Sequence, residues 1–259
     1  HQWWGQQLLG ANSQGTGTLH ESLAQYSALM VMERELGRNA MPQVLNHERE
    51  WYLRGRAGER GAEPSLVRVE RREYVYYHKG ALAMYALRDM VGEAPLNLTL
   101  SRLLKQFAGG PPYATTYDLL SAFQAIVPAA SVNDFAESFE QVVMFDAGLT
   151  EPVVTTQGSR KHHVRLDVTL RKTRTDSSGV EMVLPTDAWV DLAIYDDTAT
   201  APTIERRRIT VSPMTLEFVR DRRPSRVVLD PFFKLLERNR DDNVQQLPVV
   251  GSSARSHRE

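Results

Sequence analysis

The spacing of apolar residues changes near residue 151, and this change limits the folds that the chain can adopt. Before this point apolar residues recur at the three- and four-residue spacing of helices, and after it they alternate with polar residues as in antiparallel strands. Helices followed by strands are typical of an α+β fold. We therefore predict an α-helical bundle over residues 1–148, a small antiparallel β-sandwich over residues 151–239, and a disordered polar tail over residues 240–259.

Residues that favour or end helices locate the helical segments. Gly37 and Gly92 stand where glycine C-caps are expected, and Thr115 stands at an N-cap position. Residues 1–9 are interpreted as the end of a helix. The other predicted helices cover residues 21–36, 41–56, 74–91, 96–108, 116–126 and 134–143.

Segments with period-two alternation predict the strands. The clearest are residues 164–170 and 188–195, which are separated by the turn-forming sequence Ser177-Ser178-Gly179. Shorter strands are predicted at residues 208–211 and 227–229, and a short helix at residues 231–237.

Composition excludes several classes of function. The 259 residues carry a formal net charge of −1, which argues against a nucleic-acid partner and against a charged membrane-surface site. The chain has no Cys, so disulfides and thiolate metal sites are excluded. No apolar run approaches the roughly 20 residues that span a bilayer.

Residue types suited to a metal site lie near the start of the sequence. His1 is followed by Gln2-Trp3-Trp4-Gly5, and Glu21 opens an apolar run that has almost no other charge before Glu33. Zinc is bound by imidazole nitrogen and carboxylate oxygen, and a carboxylate isolated on a buried helix usually has a partner or a metal. A simpler interpretation is that Glu21 only complements a helix dipole.

Three motifs resemble those of one family of enzymes. The opening five residues are similar to the second half of the H-E-x-x-H-x-W-x-G helix of gluzincin aminopeptidases, the membrane alanyl aminopeptidase family. His20-Glu21-Ser22-Leu23-Ala24 stands where the family has a motif like Asn-Glu-Gly-Phe-Ala. Tyr77-His78-Lys79-Gly80 is similar to the family's Tyr-x-Lys-Gly. The resemblance covers roughly residues 1–145 and is strongest to aminopeptidase-like domains fused to bacterial ABC transporter permeases.

The resemblance implies a zinc-dependent metallopeptidase that hydrolyses peptide bonds near the N-terminus of peptides. It implies that His1 and Glu21 are Zn²⁺ ligands and that Tyr77 stabilises the tetrahedral oxyanion. It also implies another zinc-binding His and a general-base Glu upstream of His1. The chain is thus expected to be an N-terminally truncated fragment that is inactive by itself.

Departures from the family pattern leave a second function open. The spacing from His1 to Glu21 is one residue longer than usual, and His20 and Ser22 replace the family's Asn and Gly. Lost catalysis would leave a non-catalytic module, outside the cytoplasm, that binds peptides or a partner and is tethered to a membrane permease. Tyr77 would then be a core aromatic residue. Trp3 and Trp4 are expected to pack the first helix against the bundle.

Overall fold

A computed structural model describes residues 1–157, 161–196 and 201–247. The chain has an α+β fold, as predicted, and divides into two compact units that are interlaced in sequence. The helical unit consists of His1–Met144, Thr173–Val183 and Phe232–Leu236. Within the described residues, the strand unit consists of the parts of Phe145–Lys172 and Leu184–Pro231 that are described and of residues 237–247.

Six α-helices lie in the described part of the helical unit, at the six predicted positions. Thr115 caps one of them in a capping box with Asp118. Gly37 and Gly92 follow helix ends at φ of +81° and +88°, a conformation that glycine adopts without steric cost. The helices are α1 (Leu23–Leu36), α2 (Met41–Ala57), α3 (Gly80–Val91), α4 (Glu93–Phe107), α5 (Thr116–Gln124) and α6 (Val132–Phe139).

Two π-helical segments lead directly into α-helices. π-Helix 1 (Thr18–Ser22) continues into α1, and π-helix 2 (Tyr74–Lys79) continues into α3. Such wide turns are rare in proteins, and those that do occur are frequently found at functional sites. In this chain they contain Glu21 and Tyr77, respectively.

The core of the helical unit consists of two clusters of buried apolar side chains. The larger cluster includes Leu8, Leu19, Tyr52 and Phe123, all of which are fully buried. The smaller cluster includes Leu29, Met41, Tyr85 and Phe232. Burial of these faces accounts for the helical periodicity of the sequence.

Nine strands form two antiparallel sheets within the described residues. In the five-stranded sheet β3 is central and pairs with β7 so that Val164 faces Phe218 and Leu166 faces Leu216. The four-stranded sheet has the order β6-β5-β8-β9. The strands are β1 (Val143–Leu149), β2 (Val153–Gln157), β3 (Lys161–Thr175), β4 (Glu181–Leu184), β5 (Ala188–Asp196), β6 (Thr203–Ile209), β7 (Met214–Arg220), β8 (Pro224–Leu229) and β9 (Val244–Gln246).

The prediction of a helix end over residues 1–9 is wrong. Gly5 has a φ of +85°, and the N–H of Leu8 donates to the carbonyl of Trp3, which closes a turn. Leu8 then forms a bridge with Ala108. Trp4 is buried, but Trp3 is 56 % exposed, so only Trp4 packs against the helices.

Two other predicted helical segments differ from the structure. Helix α6 ends at Phe139 and Val143 begins β1, so the end of the predicted helix 134–143 is wrong. Residues 231–237 form no helix, because Asp230 and Phe233 adopt positive φ values of 47° and 53°. The burial of Phe232 and Leu235 fixes this segment in an irregular conformation.

Part of the predicted disordered tail has regular structure. Residues 244–246 form β9, and the N–H of Leu247 donates to the carbonyl of Ser225. Arg240 binds the backbone carbonyls of Leu229 and Asp230. Residues 240–247 are therefore ordered, contrary to the prediction, and residues 248–259 lie outside the described residues. Among the helices that are described, none has both the length and the apolar character needed to cross a membrane.

Candidate metal centre

The structure brings together the three side chains that the motifs single out. Nε2 of His1 lies 2.9 Å from Oε2 of Glu21. The hydroxyl of Tyr77 is close enough to the Glu21 carboxylate for hydrogen bonding between them to raise the pKa of the phenol. Glu21 is thus the point on which His1 and Tyr77 converge.

Close contact between the two π-helices sets this arrangement. Oγ of Ser22 donates to the carbonyl of Tyr76 at 2.6 Å, which joins the turn containing Glu21 to the turn containing Tyr77. Gly80 makes the contact possible, because a methyl group there would lie 2.6 Å from Cβ of Ser22. Likewise, a methyl group on Gly17 would lie 2.7 Å from the Tyr76 ring.

The surroundings of His1 leave Nε2 available as a ligand atom. Nδ1 of His1 lies 3.2 Å from the carbonyl of Trp4, and an imidazole can only donate a proton to that oxygen. In the neutral tautomer that this contact favours, Nε2 carries a lone pair. Metal-binding histidines almost always donate their other ring N–H to a carbonyl or carboxylate in this way.

The Glu21 carboxylate has one buried oxygen without a hydrogen bond. Oε2 has no partner in hydrogen-bond geometry, although it is within ion-pair distance of His1. The short distance alone does not make a hydrogen bond, since the N–H must also point at the acceptor. In the tautomer described above, Nε2 of His1 and Oε2 of Glu21 are two acceptors only 2.9 Å apart. Such a pair is stable only with a proton or a cation between them.

The donor set suits zinc in chemistry and nearly in spacing. Two ligands of one tetrahedral zinc lie about 3.4 Å apart, from bond lengths of about 2.1 Å. His1 and Glu21 therefore need to separate by about half an ångström, from 2.9 Å. Half of the His1 side chain is exposed, which leaves it room for this adjustment.

Tyr77 is held as a hydrogen-bond donor. Its hydrogen bond to Glu21, and secondly its burial, raise the pKa of Tyr77 well above the usual value for a phenol. The phenol therefore keeps its proton throughout the physiological pH range. A protonated phenol is the form that can stabilise a developing oxyanion.

His20, which adjoins Glu21 in sequence, does not belong to this group. Its Nε2 accepts a hydrogen bond from the N–H of Gly10 at 2.9 Å, and burial lowers its pKa. Within the residues that the structure describes, no three His, Asp or Glu side chains are close enough to hold a metal together. His1 and Glu21 are therefore a pair of potential ligands.

A buried carboxylate beside this pair was not predicted. The side chain of Glu48 is only 4 % exposed, and its two oxygens bind Nε2 of Gln25 at 2.8 Å and Nδ1 of His78 at 2.7 Å. The sequence contained a sign of this buried carboxylate in α2, where Glu48 lies on the same buried face as Leu45 and Tyr52. A charged residue on an apolar helix face requires a partner.

The Lys of the Tyr-x-Lys-Gly motif is buried and has a structural role. Lys79 is 1 % exposed and its Nζ lies 3.0 Å from Oε1 of Glu63. Arg56 and Tyr52 also bind the Glu63 carboxylate. This buried network holds π-helix 2, and hence Tyr77, against α2.

Two cavities in the helical unit lie elsewhere. One of about 420 Å³ is lined by residues of α4 and α5 such as Leu103 and Ser121. Another of about 440 Å³ is lined by residues such as Met30 and Arg88. Neither of these two cavities includes His1, Glu21 or Tyr77.

Comparison with known proteins gave no assignment: no protein-family model and no curated protein matches the chain. A functional interpretation therefore depends on the motifs and on the geometry of His1, Glu21 and Tyr77.

Proposed function

We propose that the protein is a zinc metallopeptidase of the aminopeptidase type, with His1 and Glu21 as metal ligands and Tyr77 as oxyanion donor. The main support is the buried Oε2 of Glu21, which has no hydrogen bond and lies 2.9 Å from Nε2 of His1. Further support is that each π-helical segment contributes one of these side chains, Glu21 or Tyr77, at some cost in regular hydrogen bonding.

The residues of the chain would divide the work as follows. A zinc ion bound by His1 and Glu21 would supply Lewis-acid polarisation of the scissile carbonyl and an activated water. Tyr77 would transfer its hydrogen bond from Glu21 to the oxyanion that forms on the substrate. Its raised pKa ensures that it donates this bond without losing its proton. The substrate would be a peptide that reaches the site from solvent.

Zinc titration of the full chain by calorimetry tests the ligand assignment. We expect His1→Ala and Glu21→Gln each to weaken zinc binding by at least about tenfold, since even residues outside the coordination sphere contribute about 10–100-fold. His47→Ala and Glu93→Gln are matched controls, because both positions are exposed on other parts of the helical unit. Equal affinity in all four variants would exclude this pair as the metal site.

Hydrolysis of amino-acid anilides by the zinc-loaded chain tests catalysis separately. If the chain turns over substrate, Tyr77→Phe should reduce kcat by about 10²–10³-fold, as expected for the loss of one oxyanion donor. Absence of turnover does not separate this function from the second one, a non-catalytic peptide-binding module, because the resemblance implies a further zinc-binding His and a general-base Glu besides these three residues. Turnover that Tyr77→Phe leaves unchanged would contradict the role of Tyr77.

A further inference from the structure

One face of the four-stranded sheet carries arginines that lie on aromatic rings. The pairing of β5 with β6 places Asp191 opposite Arg206, and the pairing of β5 with β8 places Tyr195 opposite Arg226. Opposite residues of an antiparallel pair share a face, as do alternate residues of one strand, so Trp189 lies on this face too. Asp191 is buried, whereas Arg206 is exposed. We call this surface the arginine face.

The aromatic rings restrict the guanidinium groups of two arginines. The guanidinium carbon of Arg206 lies 5.2 Å from the centroid of the Trp189 ring, and that of Arg226 lies 4.0 Å from the centroid of the Tyr195 ring. A guanidinium is planar, and its N–H donors lie at its edge. A contact through its flat side therefore restricts the side chain without occupying a hydrogen-bond donor.

The arginines of this face differ in their acidic partners. Arg208 also lies over Trp189, at 5.8 Å, and donates to both carboxylate oxygens of Asp187, at 2.7 and 2.8 Å. For Arg206 and Arg226, no acidic side chain within ion-pair distance is found in the part of the chain that the structure describes. Arg206 is exposed and Arg226 is partly exposed. Each of them can therefore accept a carboxylate from another molecule, in the way that Arg208 holds Asp187.

Apolar side chains lie between these two arginines. Ile204 of β6, Val228 of β8 and Val244 of β9 pair in one row across the sheet through Ala193 of β5. Ile204 is 40 % exposed and Val244 is 41 % exposed. The arginine face thus has an apolar centre with an arginine and an aromatic ring on either side. Arginine, tryptophan and tyrosine are the residues that most often dominate binding at protein interfaces.

We infer that the arginine face binds an extended, acidic segment of a polypeptide. Each guanidinium can bind a carboxylate through two parallel hydrogen bonds, and the apolar centre suits an aliphatic side chain between two carboxylates. Nucleic acid is a poorer match, because about six to ten neutralised phosphates are usual for a strong complex and this face has only three arginines. The inference depends neither on zinc nor on catalysis.

The strand register sets the spacing of the two carboxylates. Asp191 and Tyr195, which lie opposite the two arginines, are four residues apart in β5, or about 13 Å. Two strand spacings of about 4.8 Å separate β6 from β8, so the Cα atoms of Arg206 and Arg226 are roughly 16 Å apart. Acidic residues four positions apart in an extended peptide point to the same side and are about 13 Å apart. The length of the arginine side chains covers the difference.

An NMR titration of the full chain at pH 6.5 and low ionic strength, which follows the Nε–H signals of arginine, tests the inference. The probe is the blocked pentapeptide Glu-Thr-Val-Thr-Glu, which has both carboxylates and the valine on one side when extended. Two control peptides carry Gln or Lys in place of both Glu residues. We expect saturable shifts of Arg206 and Arg226 with the glutamate peptide alone, and weaker binding as the salt concentration rises.

Substitutions locate the binding site on the molecule. Arg206→Gln and Arg226→Gln should each weaken binding of the glutamate peptide by about tenfold, as expected for the loss of hydrogen bonds to a charged group. Arg171→Gln is the matched control, because it removes the same charge from an exposed position on β3, in the other sheet. This variant should bind the peptide as the wild type does.

Several results would overturn the inference. The first is equal binding of the glutamate and glutamine peptides, or binding of neither, which would leave the arginines of β6 only a role in preventing edge-to-edge strand pairing. The second is an equal loss of affinity in all three variants. The third is a shift of Arg206 and Arg226 with a thymidine oligonucleotide but not with the glutamate peptide, which would indicate a nucleic-acid site. If a variant does not fold, the three peptides and the wild type still decide the question.

Discussion

Three glutamates of the helical unit differ in the donors that surround them. Glu63 is bound by Lys79, Arg56 and Tyr52, and is fully compensated. Glu48 has one donor for each oxygen. Glu21 alone has a buried oxygen without a hydrogen bond. At the residue scale, this difference is what singles out Glu21 as a position for a cation.

Glu237, in the strand unit, is a residue whose charge should make stability depend on pH. Its carboxylate accepts from the N–H of Ala147 at 2.5 Å and from Asn243 at 2.7 Å, but burial raises its pKa from 4.5 to about 7. The folded state therefore binds the proton more tightly than the unfolded state. This tighter proton binding stabilises the folded state fully below about pH 4.5, and the stabilisation is lost as the pH rises to about 7. The shift corresponds to about 3 kcal/mol.

Urea unfolding at pH 5 and pH 8 measures this effect. The free energy of unfolding should fall with pH less steeply in Glu237→Gln than in the wild type, because glutamine does not titrate. Glu217→Gln is the control, since Glu217 is 71 % exposed on β7. Identical pH dependence in the wild type and Glu237→Gln would contradict the prediction.

At the scale of elements, the contact between the two π-helices is the feature on which the site depends. Ser22 and Gly80 form that contact, and no space remains for a side chain at residue 80. We predict that Gly80→Ala destabilises the protein by about 1–3 kcal/mol, as is typical of overpacking. It should also move Tyr77 away from Glu21.

Thermal unfolding and zinc titration check the Gly80→Ala prediction together. Gly61→Ala is a suitable control, because nothing lies within 4 Å of a methyl group at that position. Adding Ser22→Gly should partly restore the stability of the Gly80→Ala variant, because it removes the overlapping side chain. No restoration in the double variant would show that the two helices do not meet as described.

The elements that the sequence predicts are those determined by local signals. The six helices follow from their periodicity and from end signals such as the Thr115–Asp118 capping box. The π-helices do not, since a wide turn keeps the same residue types and differs only in hydrogen bonding. Strand β7 carries an alternating pattern, with Leu216 and Phe218 buried, and its signal was missed.

The candidate site shows the same division between local and distant information. The convergence of His1, Glu21 and Tyr77 was expected from motifs at characteristic spacings. Glu48 was not expected, because its pairing with Gln25 and His78 joins residues 23 and 30 positions away in the chain. Only the fold brings such residues together.

At the scale of the whole molecule, the helical unit is completed by residues far along the chain. Phe232 is buried with Leu29, Met41 and Tyr85, and its ring lies 6.5 Å from that of Tyr85. The guanidinium of Arg38 lies 4.5 Å from the Phe232 ring. The predicted domain 1–148 therefore lacks part of the core that its own helices require.

We predict that a chain ending at residue 148 is much less stable than the helical unit of the full chain. The loss of Phe232 alone should cost about 3–5 kcal/mol, which is the usual effect of removing a buried phenylalanine side chain. Circular dichroism at 222 nm should show a lower melting temperature for the truncated chain. In the full chain Phe232→Ala should lower the helical transition, whereas Val219→Ala, at a 51 % exposed position, should not. If the truncated chain melts at the same temperature as the full chain, residues 1–148 fold on their own and Phe232 only covers a surface that is stable without it.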